Sequence, residues 1–261
     1  MIQYYGRKTA RTAFSLLTDE KRISTILSAI HQKTEQVYPT EGDLKNVRAL
    51  ITYIKNRVLN EKEIEALDET AEIRISAIYK EYCKHLRENQ LMDYDDQMVY
   101  AYNMLLKIPW LLEYFQNQYP YICVDEAQDT SKIQHAIIAL LASRTGNLFM
   151  VGDEDQSIYG FRGARPACMR QFVEEFGAKQ ILLRTNYRSH PDIVEASLAV
   201  IDENKDRFHK DLEPCEAHRR QAGDHKTDAG YRKEYRVKIR EFSEASEQMR
   251  YLVQSLKNRI N

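Results

Sequence analysis

Polar side chains that could carry chemistry follow three short apolar runs between residues 121 and 188. The runs are Tyr121–Val124, Leu148–Val151 and Ile181–Leu183, and each has the length of one buried strand. Strand, helix, strand, helix and strand in this order predict a parallel α/β sheet. Ligands bind such sheets at the carboxyl ends of the strands. We therefore expect the residues that follow the three runs to form one site.

Two adjacent carboxylates, Asp125 and Glu126, end the first run. Adjacent negative charges at a strand end cost folding free energy unless a cation balances them. One interpretation is a Mg²⁺-nucleotide site, in which Asp125 holds the metal through water and Glu126 orients and deprotonates an attacking water. The alternative is a solvated acidic turn, which an isolated Asp-Glu pair usually forms. The following Gln128-Asp129-Thr130 favours the nucleotide site.

The second run leads into Gly152–Gln156, and aromatic and basic residues follow it. The Gln156 amide can donate and accept hydrogen bonds, so it could sense a γ-phosphate; the alternative is a loop amide bonded to backbone. Tyr159, Phe161 and Arg162 combine rings with a cation, which suits stacking on a base and pairing with a phosphate. Alone, Phe161 would more often be a core residue.

Tyr187 and Arg188 follow the third run. An aromatic face can stack on adenine, and a guanidinium can reach a transferring phosphoryl group as an arginine finger. A Tyr-Arg pair in isolation carries no information. Its significance comes from the two motifs that precede it.

The residues up to about 117 read as helical and form the elements that precede the site. Apolar stripes at helical spacing begin near Ile23, Leu44, Ile75 and Met98. The expected caps are Thr18-Asp19, Gly42-Asp43, and Asp93 or Asp95. We interpret these stripes as the core of a helix bundle.

The elements after the third run are less regular. His190–Asn204 is predicted to be helical with Pro191 in its first turn. Residues 212–230 are polar and predict a long loop. Alternating apolar residues predict a strand at Glu234–Phe242, and a final helix begins at Ser243.

Bulk composition indicates an ordinary globular protein. The net charge is −1 and the pI is about 6.7, so any nucleic-acid surface must be local. The four cysteines are far apart without a C-x-x-C pair, which argues against a zinc ribbon or a disulfide scaffold and makes a reducing cytosol the expected compartment. No apolar run approaches the roughly 20 residues of a membrane span.

Taken together, three motifs closely resemble those of the UvrD/Rep-type superfamily 1 DNA helicases. Residues 124–130 look like the Walker B motif (motif II), residues 152–164 like motif III, and residues 186–189 like motif IV. They occur in the family's order and spacing. Residues 92–96 also resemble an acidic segment that the family carries upstream of motif II.

The resemblance implies a partial RecA-like P-loop NTPase sheet preceded by an all-α domain. It divides the chain into a 1B-like helical insertion (1–108), the later half of RecA-like domain 1A (109–184) and the start of domain 2A (185–261). The implied cofactors are Mg²⁺ and ATP, and the implied partner is single-stranded or partial-duplex DNA.

The resemblance also implies a role for each motif residue. Asp125 and Glu126 would serve Mg²⁺ and water activation, and Gln156 would couple the γ-phosphate to DNA. The DNA contacts would be Tyr159, Phe161 and Arg162, with Phe161 standing where many relatives have Trp. Tyr187 would stack on adenine and Arg188 would contact the γ-phosphate.

The Walker A pattern G-x-x-x-x-G-K-S/T does not occur in these 261 residues, since none of the nine glycines precedes a lysine. Gly6-Arg7-Lys8-Thr9 only approaches it, and motifs V and VI are absent too. We expect a central helicase segment that hydrolyses ATP negligibly alone, exposes strand edges at residues 121–124 and 148–151, and could need a partner chain bearing Walker A. The alternative is a non-catalytic, helicase-derived module that binds DNA or protein.

Overall fold

The computed structural model describes residues 1–10, 12, 14–157, 167–204, 210–215, 237 and 239–260. The chain divides into two compact units, Met1–Gln180 and Ile181–Asn261. The finer division into segments 1–108, 109–184 and 185–261 stays a prediction.

The first unit is mainly helical. Its helices are α1 Ile2–Thr9, α2 Glu20–Glu35, α3 Glu41–Arg57, α4 Glu61–Ala71, α5 Ile75–Glu88, α6 Tyr94–Lys107, α7 Pro109–Gln118, α8 Lys132–Ala142 and α9 Ala167–Phe176. Its strands are β1 Ser15–Leu16, β2 Leu91–Met92, β3 Ile122–Val124 and β4 Leu148–Met150.

Side-chain caps explain where three of these helices begin. The Asp19 carboxylate accepts the N–H groups of Lys21 and Arg22 at the start of α2. Thr40 and Asp93 each form a capping box with the acidic residue three positions later, at the starts of α3 and α6. Such caps satisfy N–H groups that the helix leaves unpaired. The Asp19 cap was predicted correctly, and of the two predicted alternatives Asp93 and Asp95 the structure has Asp93. Helix α3 is capped by Thr40 rather than by Gly42-Asp43.

The predicted helical stripes form one apolar core between α2, α3, α4 and α5. Its most buried members include Leu27, Val47, Ile54, Ile75 and Ile78. Each of these five residues belongs to an apolar stripe predicted from the sequence. Helix α4 also contributes to this core, and it was not predicted from the sequence. The helix-bundle interpretation of this region is therefore confirmed.

The reading of residues 1–117 as wholly helical is wrong at two places. Ser15–Leu16 pairs in parallel with Leu91–Met92. Strands of two residues are too short to show a period-2 pattern, so hydrophobic spacing cannot reveal them.

The β3–β4 pair forms the sheet that carries the candidate site. The strands are parallel, with Ile122 opposite Leu148 and Val124 opposite Met150. Side chains alternate between faces. Ile122 and Val124 are half-buried, whereas Phe149 on the opposite face is 61% exposed. Within the described residues this sheet has two strands, and one of its faces is open.

The second unit contains β5 Thr185–Asn186, α10 Pro191–Ile201, β6 Glu213–Pro214 and α11 Ala245–Ile260. The predicted third strand at Ile181–Leu183 is wrong: the strand comes later, at β5, and pairs in parallel with β6 rather than with β3 or β4. Ile181 and Leu183 are exposed. An apolar run of three residues cannot distinguish a buried strand from an exposed segment.

Two further expectations concern the end of the chain. Helix α10, with Pro191 at its start, and a helix near Ser243 are confirmed. The predicted loop at 212–230 contains the strand β6, and the described part of the predicted strand at Glu234–Phe242 is not a strand. In the part of the chain that the structure describes, no helix is both long and apolar enough to cross a membrane.

Candidate functional site

Backbone hydrogen bonds extend the β3–β4 ladder past the carboxyl ends of both strands. The Val151 N–H donates to the Val124 carbonyl at 2.8 Å, and the Ala127 N–H donates to the Val151 carbonyl at 2.9 Å. The loops that follow β3 and β4 are thereby held next to each other. This places two of the predicted motifs at one edge of the sheet.

Asp125 and Glu126 lie on the loop after β3, and both are exposed. The Asp125 Oδ1 atom accepts the N–H of Glu126 at 2.9 Å. Glu126 has φ 49° and ψ 44°, in the left-handed region. A side chain with a Cβ destabilises that conformation by about 1–2 kcal/mol, so the surrounding structure must hold it.

Gln128 lies beneath these carboxylates and is 1% exposed. Its Nε2 donates to Glu126 Oε2 at 2.7 Å, and its Oε1 accepts the Asp153 N–H at 3.0 Å. One buried amide therefore joins the loop after β3 to the loop after β4. Sequence reasoning used Gln128 only to support the motif and gave it no role.

Gln156 lies on the turn Glu154–Gln156 after β4 and is exposed. Its Nε2 donates to Asp153 Oδ2 at 2.8 Å. The side chains of Glu126 and Gln156 are thus the ends of one hydrogen-bonded chain that passes through Gln128 and Asp153. The structure brings these two predicted site residues together.

Helix α8 supports the loop after β3. It begins after Ser131, whose N–H donates to Gln134 Oε1 at 2.8 Å. His135 on α8 is 8% exposed and stacks on Phe172 of α9, with ring centroids 4.1 Å apart. Burial lowers the pKa of His135 to about 4, so the imidazole is neutral at pH 7.

Tyr187 and Arg188 lie on the turn after β5, in the second unit. The Asn186 Oδ1 atom accepts the N–H groups of Arg188 at 2.9 Å and of Ser189 at 2.8 Å. This side chain to backbone bonding closes a tight turn. Tyr187 is 76% exposed and Arg188 is exposed as well. Tyr159, Phe161 and Arg162 fall outside the described residues.

The acidic segment at residues 92–96 has its partners inside the first unit. The Lys55 Nζ atom lies 2.6 Å from Asp93 Oδ2 and 2.7 Å from Asp96 Oδ1. Burial by itself lowers the pKa of Lys55, but the two carboxylates outweigh it and the net shift is upward. The sequence signal that could have revealed this cluster is the pair of aspartates three positions apart at a helix start.

The exposed carboxylates of Asp125 and Glu126 are hard oxygen donors, which suit Mg²⁺. Within the described ranges, no group of three or more His, Cys, Asp or Glu side chains is placed to hold a metal ion. Two carboxylates fit a Mg²⁺ ion that also keeps waters and phosphate oxygens as ligands. The donor set therefore fits Mg²⁺ bound together with a nucleotide.

Known proteins similar to this chain are DNA helicases by name. DNA helicase II of Haemophilus influenzae is 34% identical over 204 residues, covering 76% of the chain and 27% of that protein. The ATP-dependent DNA helicase PcrA of Staphylococcus aureus is 39% identical over 183 residues, covering 69% and 25%. PcrA of Staphylococcus epidermidis is 43% identical over 139 residues, covering 53% and 19%.

The chain spans only about a fifth to a quarter of the length of these relatives, with coverage of 19% to 27%. A profile of the family described as the UvrD/REP helicase N-terminal domain matches residues 1–177. That range includes the β3–β4 sheet and the loops that carry Asp125, Glu126 and Gln156. The chain belongs to the UvrD/REP helicase family.

Proposed function

We propose that this chain supplies part of the ATP site of an ATP-dependent 3′-to-5′ DNA helicase. The observation that carries the proposal is the hydrogen-bonded chain from Glu126 to Gln156 at the carboxyl ends of two neighbouring parallel strands. Nucleotides bind at this edge in open α/β sheets. The names of the similar proteins support the same reaction.

Each site residue has one role in this proposal. Asp125 holds Mg²⁺, which neutralises phosphate charge when it is bound. Glu126 orients the attacking water and accepts its proton. Gln156 senses the γ-phosphate, Tyr187 stacks on adenine, and Arg188 contacts the γ-phosphate as an arginine finger.

Single-stranded or partial-duplex DNA is the proposed macromolecular partner. Tyr159, Phe161 and Arg162 are the proposed contact residues, through stacking and phosphate pairing. We expect weak binding by these 261 residues, with an affinity that falls steeply as salt increases. Fluorescence anisotropy of a labelled oligonucleotide at several salt concentrations measures both quantities, and Arg162→Ala should reduce the salt dependence.

Hydrolysis by these 261 residues alone should be negligible. The sequence contains no Walker A pattern, so it offers no glycine-rich backbone cradle or lysine for the β- and γ-phosphates. Substantial Mg²⁺-dependent, DNA-stimulated hydrolysis by the pure chain would contradict this. In a mixture with a Walker A-bearing polypeptide, hydrolysis should appear and be lost with Glu126→Gln.

Nucleotide binding is tested by thermal melting, because a ligand of the folded state stabilises it. Mg²⁺-ATP at about ten times its dissociation constant should stabilise the chain by about 1.4 kcal/mol. Asp125→Asn should remove the part of the shift that depends on Mg²⁺. Glu41→Gln removes one exposed carboxylate at the start of α3 and is the matched control. An unchanged melting temperature in millimolar Mg²⁺-ATP would instead favour a non-catalytic module.

A further inference from the structure

We propose that Gln128 is a positioning residue that links the carboxylate of Glu126 to the loop carrying Gln156. This inference rests on the proposed function, since it assigns Glu126 the role of proton acceptor. Gln128 itself contacts neither nucleotide nor metal in this proposal. It acts through the two groups to which it is bonded.

The first support is the double hydrogen bond of a single planar amide. Gln128 donates through Nε2 to Glu126 Oε2 at 2.7 Å and accepts through Oε1 from the Asp153 N–H at 3.0 Å. The two atoms belong to one rigid group, so a displacement on the Glu126 side moves the acceptor of Asp153. A bond to an ionised carboxylate is about twice as strong as a neutral one.

The second support is the lack of space around the amide. A Cβ at Gly152 would lie 2.7 Å from Gln128 Oε1, 3.1 Å from the Ala127 nitrogen and 3.1 Å from Met169 Cε. The side chain of Gln128 is therefore packed directly against the backbone of the loop after β4. With 1% of Gln128 exposed, solvent cannot replace either hydrogen bond without opening the loop.

The third support is the continuation of the chain beyond Asp153. The Asp153 Oδ1 atom accepts the Asp155 N–H at 3.2 Å, and Oδ2 accepts from Gln156 Nε2 at 2.8 Å. Asp153 therefore ties its own backbone position to the turn that presents Gln156. A displacement of Gln128 Oε1 therefore reaches the turn that carries Gln156 through Asp153 alone.

The coupling follows from the two bonds that share the Gln128 amide. The Nε2–H bond goes to a carboxylate oxygen of Glu126, and replacing that carboxylate with a neutral group removes the charge assistance and weakens the bond. Hydrogen bonds that share one amide polarise each other, so the Asp153 bond weakens with it. The carboxylate of Glu126 therefore helps to hold the loop carrying Gln156 in place.

Amide hydrogen exchange of the whole 261-residue chain tests the coupling without any ligand. The Asp153 amide reports on Gln128, and the Val151 amide, which donates to the Val124 carbonyl, is the internal reference. Gln128→Met should speed Asp153 exchange about fivefold relative to Val151, which corresponds to one lost hydrogen bond. Glu126→Gln should speed it by a factor of about two to three in the wild-type background and not at all after Gln128→Met.

Gln116 provides the matched control for Gln128→Met. It is also a buried glutamine that donates two hydrogen bonds, but it does not lie at the ends of β3 and β4. It is 8% exposed and donates to the Leu140 carbonyl and to Ser143 Oγ. After Gln116→Met, the effect of Glu126→Gln on Asp153 should persist. If Glu126→Gln acts equally in all three backgrounds, Gln128 has only a structural role and the proposal is overturned.

If Gln128→Met does not fold, swapping the side chains of residues 126 and 128 provides a second test. Gln128→Glu alone places two carboxylates together and should speed Asp153 exchange. Combined with Glu126→Gln, it restores an amide donor opposite a carboxylate, and exchange should return to within about twofold of wild type. Failure to recover would overturn the coupling. Failure of nucleotide binding would appear in thermal melting and would leave these exchange rates unchanged.

Discussion

Lys55 and Asp93 form a buried ion pair, with the Lys55 Nζ atom 2.6 Å from Asp93 Oδ2 and the lysine side chain 1% exposed. Asp96 pairs with the same ammonium at 2.7 Å, and the Tyr82 hydroxyl donates to Asp93 at 3.2 Å. The cluster joins α3, α5 and the start of α6. It makes one lysine the counterion of the buried Asp96 and of the half-buried Asp93.

Replacement of Lys55 should therefore be strongly destabilising. Lys55→Met leaves the buried Asp96 and the half-buried Asp93 without their cation, and we expect a loss of about 3–5 kcal/mol in the free energy of unfolding. Urea unfolding followed by the fluorescence of Trp110, the single tryptophan, measures it. Lys33→Met removes an exposed partner of Glu81 and should change little. Equal effects of the two substitutions would contradict the assignment.

A side chain at Gly152 should destabilise the protein by crowding the buried amide of Gln128. Gly152→Ala places a Cβ 2.7 Å from Gln128 Oε1, and overpacking of this kind costs about 1–3 kcal/mol. The control is Gly42→Ala, whose Cβ would lie 3.5 Å from Thr40 Oγ1. That change should be neutral or stabilise by about 0.5–1 kcal/mol, because glycine disfavours helices. Urea unfolding compares the two.

The stability of the first unit should fall between pH 6.5 and pH 4 because of His135. Its folded-state pKa is about 4, below the value of about 6.5 in an unfolded chain. The unfolded state therefore binds a proton first, and stability is lost as the pH falls through this window. The expected loss from His135 is about 2 kcal/mol between pH 8 and pH 5.

His135→Phe should flatten that pH dependence while it keeps a ring against Phe172. Urea unfolding at pH 5 and pH 8 gives the slopes. An unaltered slope in His135→Phe would show that another group carries the dependence.

The turn that presents Tyr187 and Arg188 should depend on one side-chain oxygen. Asn186→Ala removes the acceptor of two N–H groups, so the amides of Arg188 and Ser189 should each exchange about fivefold faster. Asn186→Asp keeps an oxygen acceptor and should preserve their protection. Hydrogen exchange read by NMR resolves both amides. Identical rates in the two variants would place the control of this turn elsewhere.

Long helices were the most predictable part of the fold. The stripes that begin at Ile23 and Ile75 extend over several turns, and period and caps agree. Helix α4 was missed because Ile64 and Leu67 give it little apolar signal. The two-residue strands were missed because a period cannot be read from two residues, and Ile181–Leu183 was misassigned because its apolar residues are exposed.

The residues of the candidate site could be predicted from the sequence, but the hydrogen bonds that join them could not. The sequence placed Asp125, Glu126 and Gln156 after neighbouring strands, and the structure holds these loops side by side. It could not reveal that Gln128 joins them, because a loop glutamine has no distinctive spacing. It showed the two aspartates of the Lys55 cluster at a helix start but not their cation, because Lys55 lies 38 residues before Asp93 in the chain.

The left-handed backbone of Glu126 has a compensating side-chain hydrogen bond. Glycine adopts that conformation without strain, so Glu126→Gly should relieve about 1 kcal/mol at the backbone. The same change leaves the buried Nε2 of Gln128 without its acceptor, which costs about 1–3 kcal/mol. A laboratory selection for thermal tolerance alone should therefore retain this carboxylate.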